Sequence, residues 1–311
     1  MTVSLRSAPS RGRSLLRGIG PRSFAEAQWT AYLYLLPALL LFLAFVIYPM
    51  MQGAWISFLD WNGFSPPTWV GLDNYVEILR DGNLRAGFVR SVILILFYSL
   101  LPIALGLLIT AILSSRPIRG ASWFRGILFL PQVLPIVVVG IVWRWMYAPD
   151  GPINAGLTSI GLGGLATGWL GDFTLALPAV GMVGTWVSFG FVMVLLLTGA
   201  QAIPSDLYDA ARVDGAGRVQ EFFAITLPGL HNQLVVALIV TIITALRAFG
   251  LIYTMTSGGP GYETTVPAWN VYTTTFRYHQ VGLGAALGIT LAVLIFVIVF
   301  ALGRLVERER R

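Results

Sequence analysis

An all-α, polytopic membrane protein is the fold class this sequence predicts, and three observations predict it. First, 56% of the 311 residues are hydrophobic and only 11% are charged, with a mean hydropathy of +0.77. An average soluble domain is about 25% charged, and one of this length could not hide so much apolar surface. Second, the apolar residues gather into six windows of the roughly 20 residues that a helix needs to cross hydrocarbon. Third, arginines fall between these windows in an alternating pattern.

The windows are residues 31–51, 91–114, 127–147, 173–200, 234–256 and 281–302. They contain no Asp, Glu or His, and their only charges are Arg144 in the third and Arg247 in the fifth. Pro37, Pro102, Pro131, Pro135 and Pro178 lie inside them and predict kinks. Positive residues stay on the cytoplasmic side. Arg6, Arg11, Arg13, Arg17 and Arg22 precede the first window, Arg116, Arg119 and Arg125 follow the second, and Arg304, Arg308, Arg310 and Arg311 follow the sixth. The segments 148–172 and 257–280 hold only Arg277 between them, and 52–90 is mixed. Both termini are therefore expected inside, which suits six crossings. The layout is a basic tail (1–30), a six-helix transmembrane domain (31–302) and a second tail (303–311). The basic start reads as a retained signal-anchor, because the apolar run behind it is long and lacks a small-x-small cleavage site. A net charge of +6 then serves anchoring to acidic lipid on the cytoplasmic side, not nucleic-acid binding.

Missing residue types narrow the chemistry. The chain has no Cys, which removes disulfides, thiolate metal sites and thiol nucleophiles. It has no Lys, which removes a Walker-type phosphate loop and Schiff-base catalysis. His231 and His279 are too far apart in sequence for an HExxH zinc pair, so no metal site is expected.

One connection is longer than a turn needs. Residues 201–232, between the fourth and fifth windows, could be bridged by about five residues. Instead they read as structure. Ser205 is placed to cap a helix through Val213, with Asp206 and Asp209 in its first turn. Gly215 breaks that helix, a second runs from about Arg218 to Ile225, and Pro228 stops it. Ala210 and Ala211 leave a face with almost no side chain. Such a hairpin either packs under its own bundle or receives the groove of another protein.

Here the residues carry a family resemblance. Asp209-Ala210-Ala211, Asp214-Gly215, Ile225 and Leu227-Pro228 resemble the EAA signature of ABC importer permeases, with Asp209 where the family usually has Glu. Gly71-Leu72-Asp73-Asn74-Tyr75 is similar to an outer-loop element of the carbohydrate-uptake branch. So are Leu130-Pro131 with the stretch from Trp143 to Asn154, and Thr256 to Pro260 with Thr264, Thr265 and Phe276. The whole most resembles the first permease subunit of maltose-type and glycerol-phosphate-type importers, without the large outer domain and extra N-terminal helices of the maltose subunit. The resemblance implies a type I permease fold whose 201–232 loop carries a coupling helix. It implies as partners a second homologous permease, two ATPase subunits that hold ATP and Mg, and an extracytoplasmic substrate-binding protein. The chain itself would be a non-catalytic transport subunit with no cofactor.

For the solute route, Thr241, Thr244, Ala245 and Ala248 recur at i, i+3, i+4 and i+7 and make a small, partly polar stripe. Trp186, Ser188, Phe189 and Phe191 add aromatic and hydroxyl groups on the fourth helix. The resemblance implies that these stretches line a sugar site; helix–helix packing through small residues explains them equally. An Arg at mid-membrane costs at least about 2.5–3.5 kcal/mol on insertion scales and needs a partner or water. Arg144 can snorkel to the outer interface. Arg247 is central, and would meet an anionic or hydroxyl-rich solute or the partner permease; if it faces the route, a glycerol phosphoester gains over a neutral sugar. The outer loops 52–90 and 257–280, with turns held by Pro66, Pro67, Gly258, Gly259 and Pro260, would receive the binding protein. A secondary transporter would place carboxylates or His in its helices, and a membrane-embedded enzyme would need a nucleophile–base pair or a metal; the windows supply neither.

Overall fold

The structure, a computed structural model, describes residues 24–114 and 121–309. The expectations for residues 1–23, Arg116, Arg119, Arg310 and Arg311 lie outside them. The chain divides into two compact units, residues 1–52 and 53–311. In the first, α1 (Phe24–Phe42) passes through a π turn at Leu43–Ile47 into α2 (Tyr48–Ile56), whose last residues belong to the second unit. The helix therefore begins ahead of residue 31. None of its apolar window is buried.

The second unit starts with a two-stranded ribbon, β1 (Leu59–Asp60) antiparallel to β2 (Thr68–Trp69). The segment expected as an outer loop is then helical: α3 (Asp73–Arg80) leads to α4 (Gly82–Ile95), capped by Asp81, which accepts from the N–H groups of Asn83 and Leu84. A π turn at Leu96–Leu100 joins α4 to α5 (Leu101–Ser114). The third window is broken. α6 (Ala121–Val133) meets α7 (Ile136–Met146) at 103°. Pro135 lacks an N–H and pushes Leu134 out of the helical region, so the predicted kink becomes a full break. Pro131, by contrast, is carried inside α6.

After α8 (Pro152–Ser159), the fourth span is the single helix α9 (Ala176–Gln201). Pro178 does not kink it, because it falls in the first turn, where a missing N–H leaves no bond unmade. The insert folds as α10 (Ser205–Val213), α11 (Arg218–Glu221), a π turn at Phe222–Thr226 and α12 (Leu227–Gly229). Two expectations need correction. Pro204, not Ser205, holds the N-cap position, and Ser205 makes no cap bond. Pro228 does not stop the second helix but sits in the first turn of α12, a position that tolerates proline. A 66° bend at Leu230 separates α12 from α13 (His231–Leu246). The fifth window is broken again at Arg247 before a π turn at Ile252–Thr256. α14 (Pro267–Tyr272) and α15 (Val281–Glu309) complete the chain. Among the described residues, four helices are long and apolar enough to cross a membrane, or six with each bent pair taken as one span.

α9 is the axis of the second unit. Of its apolar window 61% is buried, against 17–33% for the unbroken spans Gly82–Ile112 and Val281–Arg304. Glycines let its neighbours approach. A Cβ on Gly190 would lie 2.7 Å from the Leu128 carbonyl of α6, and one on Gly184 would overlap the Tyr98 ring. In α5, Gly106 faces Val192 and Leu196. Small residues of this kind let van der Waals contact join helices where lipid removes the hydrophobic drive. The two broken spans touch: a Cβ on Gly250 would come 2.8 Å from Ile136, the first residue of α7. Val293, Phe296, Val297 and Phe300 on α15 stay exposed and form an apolar stripe.

Candidate functional site

The α10–α12 hairpin is built by its sequence. α10 ends in a left-handed turn: Gly215 has φ +82°, its N–H bonds to the Arg212 carbonyl at 3.1 Å, and the Ala216 N–H bonds to the Ala211 carbonyl at 2.9 Å. This is the full Schellman closure, and glycine supplies the positive φ without strain. No atom lies within 4 Å of an added Cβ, so the requirement at Gly215 is conformational rather than steric. The Gly217 N–H donates to Gln220 Oε1 at 2.8 Å and starts α11.

Side chains then clasp the two arms. Arg212 reaches Glu221 Oε1 at 2.9 Å through Nε and Asp209 Oδ1 at 3.1 Å through Nη1. Tyr208 and Thr226 share a hydroxyl hydrogen bond of 3.0 Å. Glu221 is 9% exposed, and sequence reading missed it; the signal was an acid nine residues after Arg212 and directly ahead of the apolar run 222–225. Tyr208, Asp209 and Arg212 lie on the face of α10 that carries the clasp, Tyr208 half-buried and the other two still exposed. Leu207, Ala210, Val213 and Asp214 are exposed, and Ala211 is half-buried. Val213 is 88% exposed and Leu207 51%, a high value for apolar residues beside charged ones. Of the remaining signature positions, Ile225 and Leu227 are half-buried and Pro228 is exposed.

The expected solute-route residues separate into two groups. Thr241, Ala245 and Ala248 are buried, with Thr241 Oγ1 at 2.7 Å from Ser99 Oγ and bonded back to the Ala237 carbonyl. Ser188 is also buried and Phe191 half-buried against the helix core. These five pack inside this chain. Trp186, Thr244 and Arg247 are exposed. Trp186 stands edge-on to Trp143 at 5.5 Å, and Thr244 turns its hydroxyl back to the Val240 carbonyl. Arg247 sits at the C-terminal cap of α13, where positive charge meets the helix dipole favourably, and has no ion-pair partner among the described residues.

At the opposite end of the bundle, long-range contacts order the loops. Arg90 binds Glu263 Oε2 at 3.3 Å and Thr265 Oγ1 at 3.1 Å. Asn154 accepts from Trp169 Nε1 at 2.9 Å and donates to the Thr167 carbonyl at 2.9 Å. Asp172 accepts from the hydroxyl and N–H of Thr174 and from the N–H of Leu175 ahead of α9; these bonds hold its carboxyl below the usual carboxylate range. Gly258 has φ +86°, the Gly259–Pro260 peptide is cis, and Thr256 and Thr264 are 2.7 Å apart.

A bundle of bent apolar spans around one central helix, with a clasped amphipathic hairpin at one end and an exposed mid-span arginine, defines a membrane permease. The family described as "Binding-protein-dependent transport system inner membrane component" matches residues 102–311, and the chain belongs to it. Its relatives include the probable ABC transporter permease protein YurN of Bacillus subtilis, 35% identical over 87% of this chain and 92% of the relative. They also include the diacetylchitobiose uptake system permease protein NgcF of Streptomyces coelicolor, 36% identical over 86% of this chain and 80% of the relative. A bacterial ABC transporter involved in the import of the acidic polysaccharide alginate has a chain of the same fold, with a TM-score of 0.79 and 26% identity over 92% of this chain and 98% of that one. The resemblance to ABC importer permeases of the carbohydrate-uptake branch therefore extends along nearly the whole chain, as the dispersed motifs imply.

Proposed function

We propose that this chain is one of two permease subunits of a binding-protein-dependent importer for a sugar or sugar-like solute. It is driven through the α10–α12 hairpin by two partner ATPase subunits. The hairpin carries the proposal. Its closure at Gly215 and its Arg212 clasp make it stiff, while Leu207, Ala210, Val213 and Asp214 offer a short apolar and acidic face to a partner's groove. ATP and Mg are assigned to the partners, because the chain lacks the Lys of a phosphate loop. The positive-inside pattern supports an orientation with the hairpin and both termini on the cytoplasmic side and the Asn154 and Arg90 loops outside, where a binding protein would dock, and the family supports a bacterial plasma membrane.

The solute route is assigned to the exposed face of α9 and α13. Trp186, Thr244 and Arg247 would contact solute, while Ser188, Phe191, Thr241, Ala245 and Ala248 set the wall behind them. A polar sugar in hydrocarbon would leave each hydroxyl unsatisfied at about 2–7 kcal/mol, so such a face must supply donors and acceptors. One observation favours an anionic solute as a second reading, a glycerol phosphoester or acidic saccharide: Arg247 is exposed at a helix break with no carboxylate partner among the described residues.

Affinity purification of the tagged chain from its native membrane tests the coupling role. ATPase subunits should copurify, and replacing residues 209–228 by a flexible linker of equal length should release them while the second permease stays bound. Undiminished ATPase recovery with the linker would overturn the proposal.

A further inference from the structure

A cavity of about 920 Å³ opens beside the hairpin, and the coupling role does not use it. It lies between α5, the α9 end and the inner face of α10–α12. Ser205, Tyr208, Asp209 and Arg212 line it from α10, a stripe at helical spacing. The residues proposed to meet the ATPase fall on the other face of the same helix.

The cavity has two chemically different walls. Along α5, Ala104, Leu107, Leu108, Ala111 and Ile112 form an apolar strip two turns long, about 12 Å at 1.5 Å per residue. Leu108 is 57% and Ile112 53% exposed. The other wall is charged, with three arginines (Arg125, Arg212, Arg218) against two carboxylates (Asp209, Glu221). Arg212 takes both carboxylates. Arg125 and Arg218 have no carboxylate partner among the described residues. Arg125 Nε is buried and has no hydrogen-bond acceptor among the described residues. A buried guanidinium N–H left unpaired is costly, so the site is built for an occupant that brings acceptor oxygens.

Water or a free anion could satisfy the arginines but would leave the leucine strip uncovered. The geometry points to an anionic phospholipid, with its phosphodiester held between Arg125 and Arg218 and an acyl chain laid along Leu107, Leu108 and Ile112. Basic pockets between spans at the membrane interface recognise lipid headgroups in this way. Arginine, which binds phosphate oxygens in pairs, is the suited cation. The inference does not depend on which side of the membrane this end faces. It adds a lipid in direct contact with the inner face of the hairpin.

The test uses the full chain in its native assembly, purified in detergent and mixed with equal amounts of dioleoyl phosphatidylglycerol and dioleoyl phosphatidylcholine. Bound lipid is counted by native mass spectrometry. Phosphatidylglycerol should be retained about tenfold over phosphatidylcholine. The Arg125→Gln, Arg218→Gln pair should bring it down to the phosphatidylcholine level, and Ala111→Trp, which fills the apolar wall, should expel it by a second route. Gel filtration checks that each variant still assembles. Equal retention of both lipids, or phosphatidylglycerol retention unchanged by both variants, overturns the site. So does competition by inorganic phosphate to the same extent as by lipid, which would mark a free-anion site. Leu108→Cys gives the chain its single thiol for a photocrosslinker; attachment to lipid supports the site, and attachment to a partner protein overturns it.

Discussion

At the scale of single residues, Gly215 and Asp172 show how local chemistry fixes the ends of helices. Gly215→Val leaves ample room for the new side chain but forces it into the left-handed region, at a cost of about 1–2 kcal/mol. The expected result is a frayed α10 end and weaker ATPase copurification with normal chain yield. Gly215→Asn should recover most of the association, because Asn tolerates that conformation; failure of Asn to do better than Val would mean that bulk, not φ, is what matters. Asp172 gives a pH dependence of known sign. Its carboxyl is held below the usual range by bonds from Thr174 and Leu175. A group depressed on folding stabilises above its unfolded pKa and loses that contribution as pH falls through its folded one. Asp172→Ala should therefore lower the thermal midpoint at neutral pH, and the gap to the parent chain should close only below the usual carboxylate range. A gap that is flat with pH would contradict the assignment.

At the scale of elements, α9 depends on glycines where other helices cross it. Gly184→Val would drive a branched side chain into the Tyr98 ring, and overpacking of this kind costs about 1–3 kcal/mol. Lower yield and a lower melting midpoint are expected, with recovery when Tyr98→Ala is added; no recovery would place the damage elsewhere. The same elements show what a sequence discloses. The six apolar runs are readable because they hold no charge but Arg144 and Arg247, and α10 is readable because Gly215 and the short polar residues around it punctuate the chain. The break at Pro135 could be foreseen as a kink from the proline itself. The break at Arg247 could not, because no proline marks it, and the contact between Gly250 and Ile136 brings together residues more than a hundred positions apart. The same holds for α3, α8 and α14, hidden in presumed loops and ordered by pairings such as Arg90 with Glu263. The stripe from Thr241 to Ala248 was visible as a period of small residues, but the period alone does not say which of its members turn inward.

At the scale of the whole molecule, the solute route is read as a surface of this chain completed by another, so its residues are separable from those that hold the fold. Thr244→Trp adds bulk at an exposed position and should abolish uptake into vesicles of the assembled transporter while leaving assembly intact. Arg247→Gln should change the ratio of anionic to neutral solute taken up; a fall in yield with that ratio unaltered would make Arg247 structural. Arg247 also lies within three residues of Gly250, where the third and fifth spans press their interruptions against each other. Two joints that share one seam cannot flex separately. Any swing of α7 must be accommodated by the stretch after α13, and any swing there by α7. A solute seated on Arg247 would press on that seam, and one cargo contact would then bias two of the six crossings together.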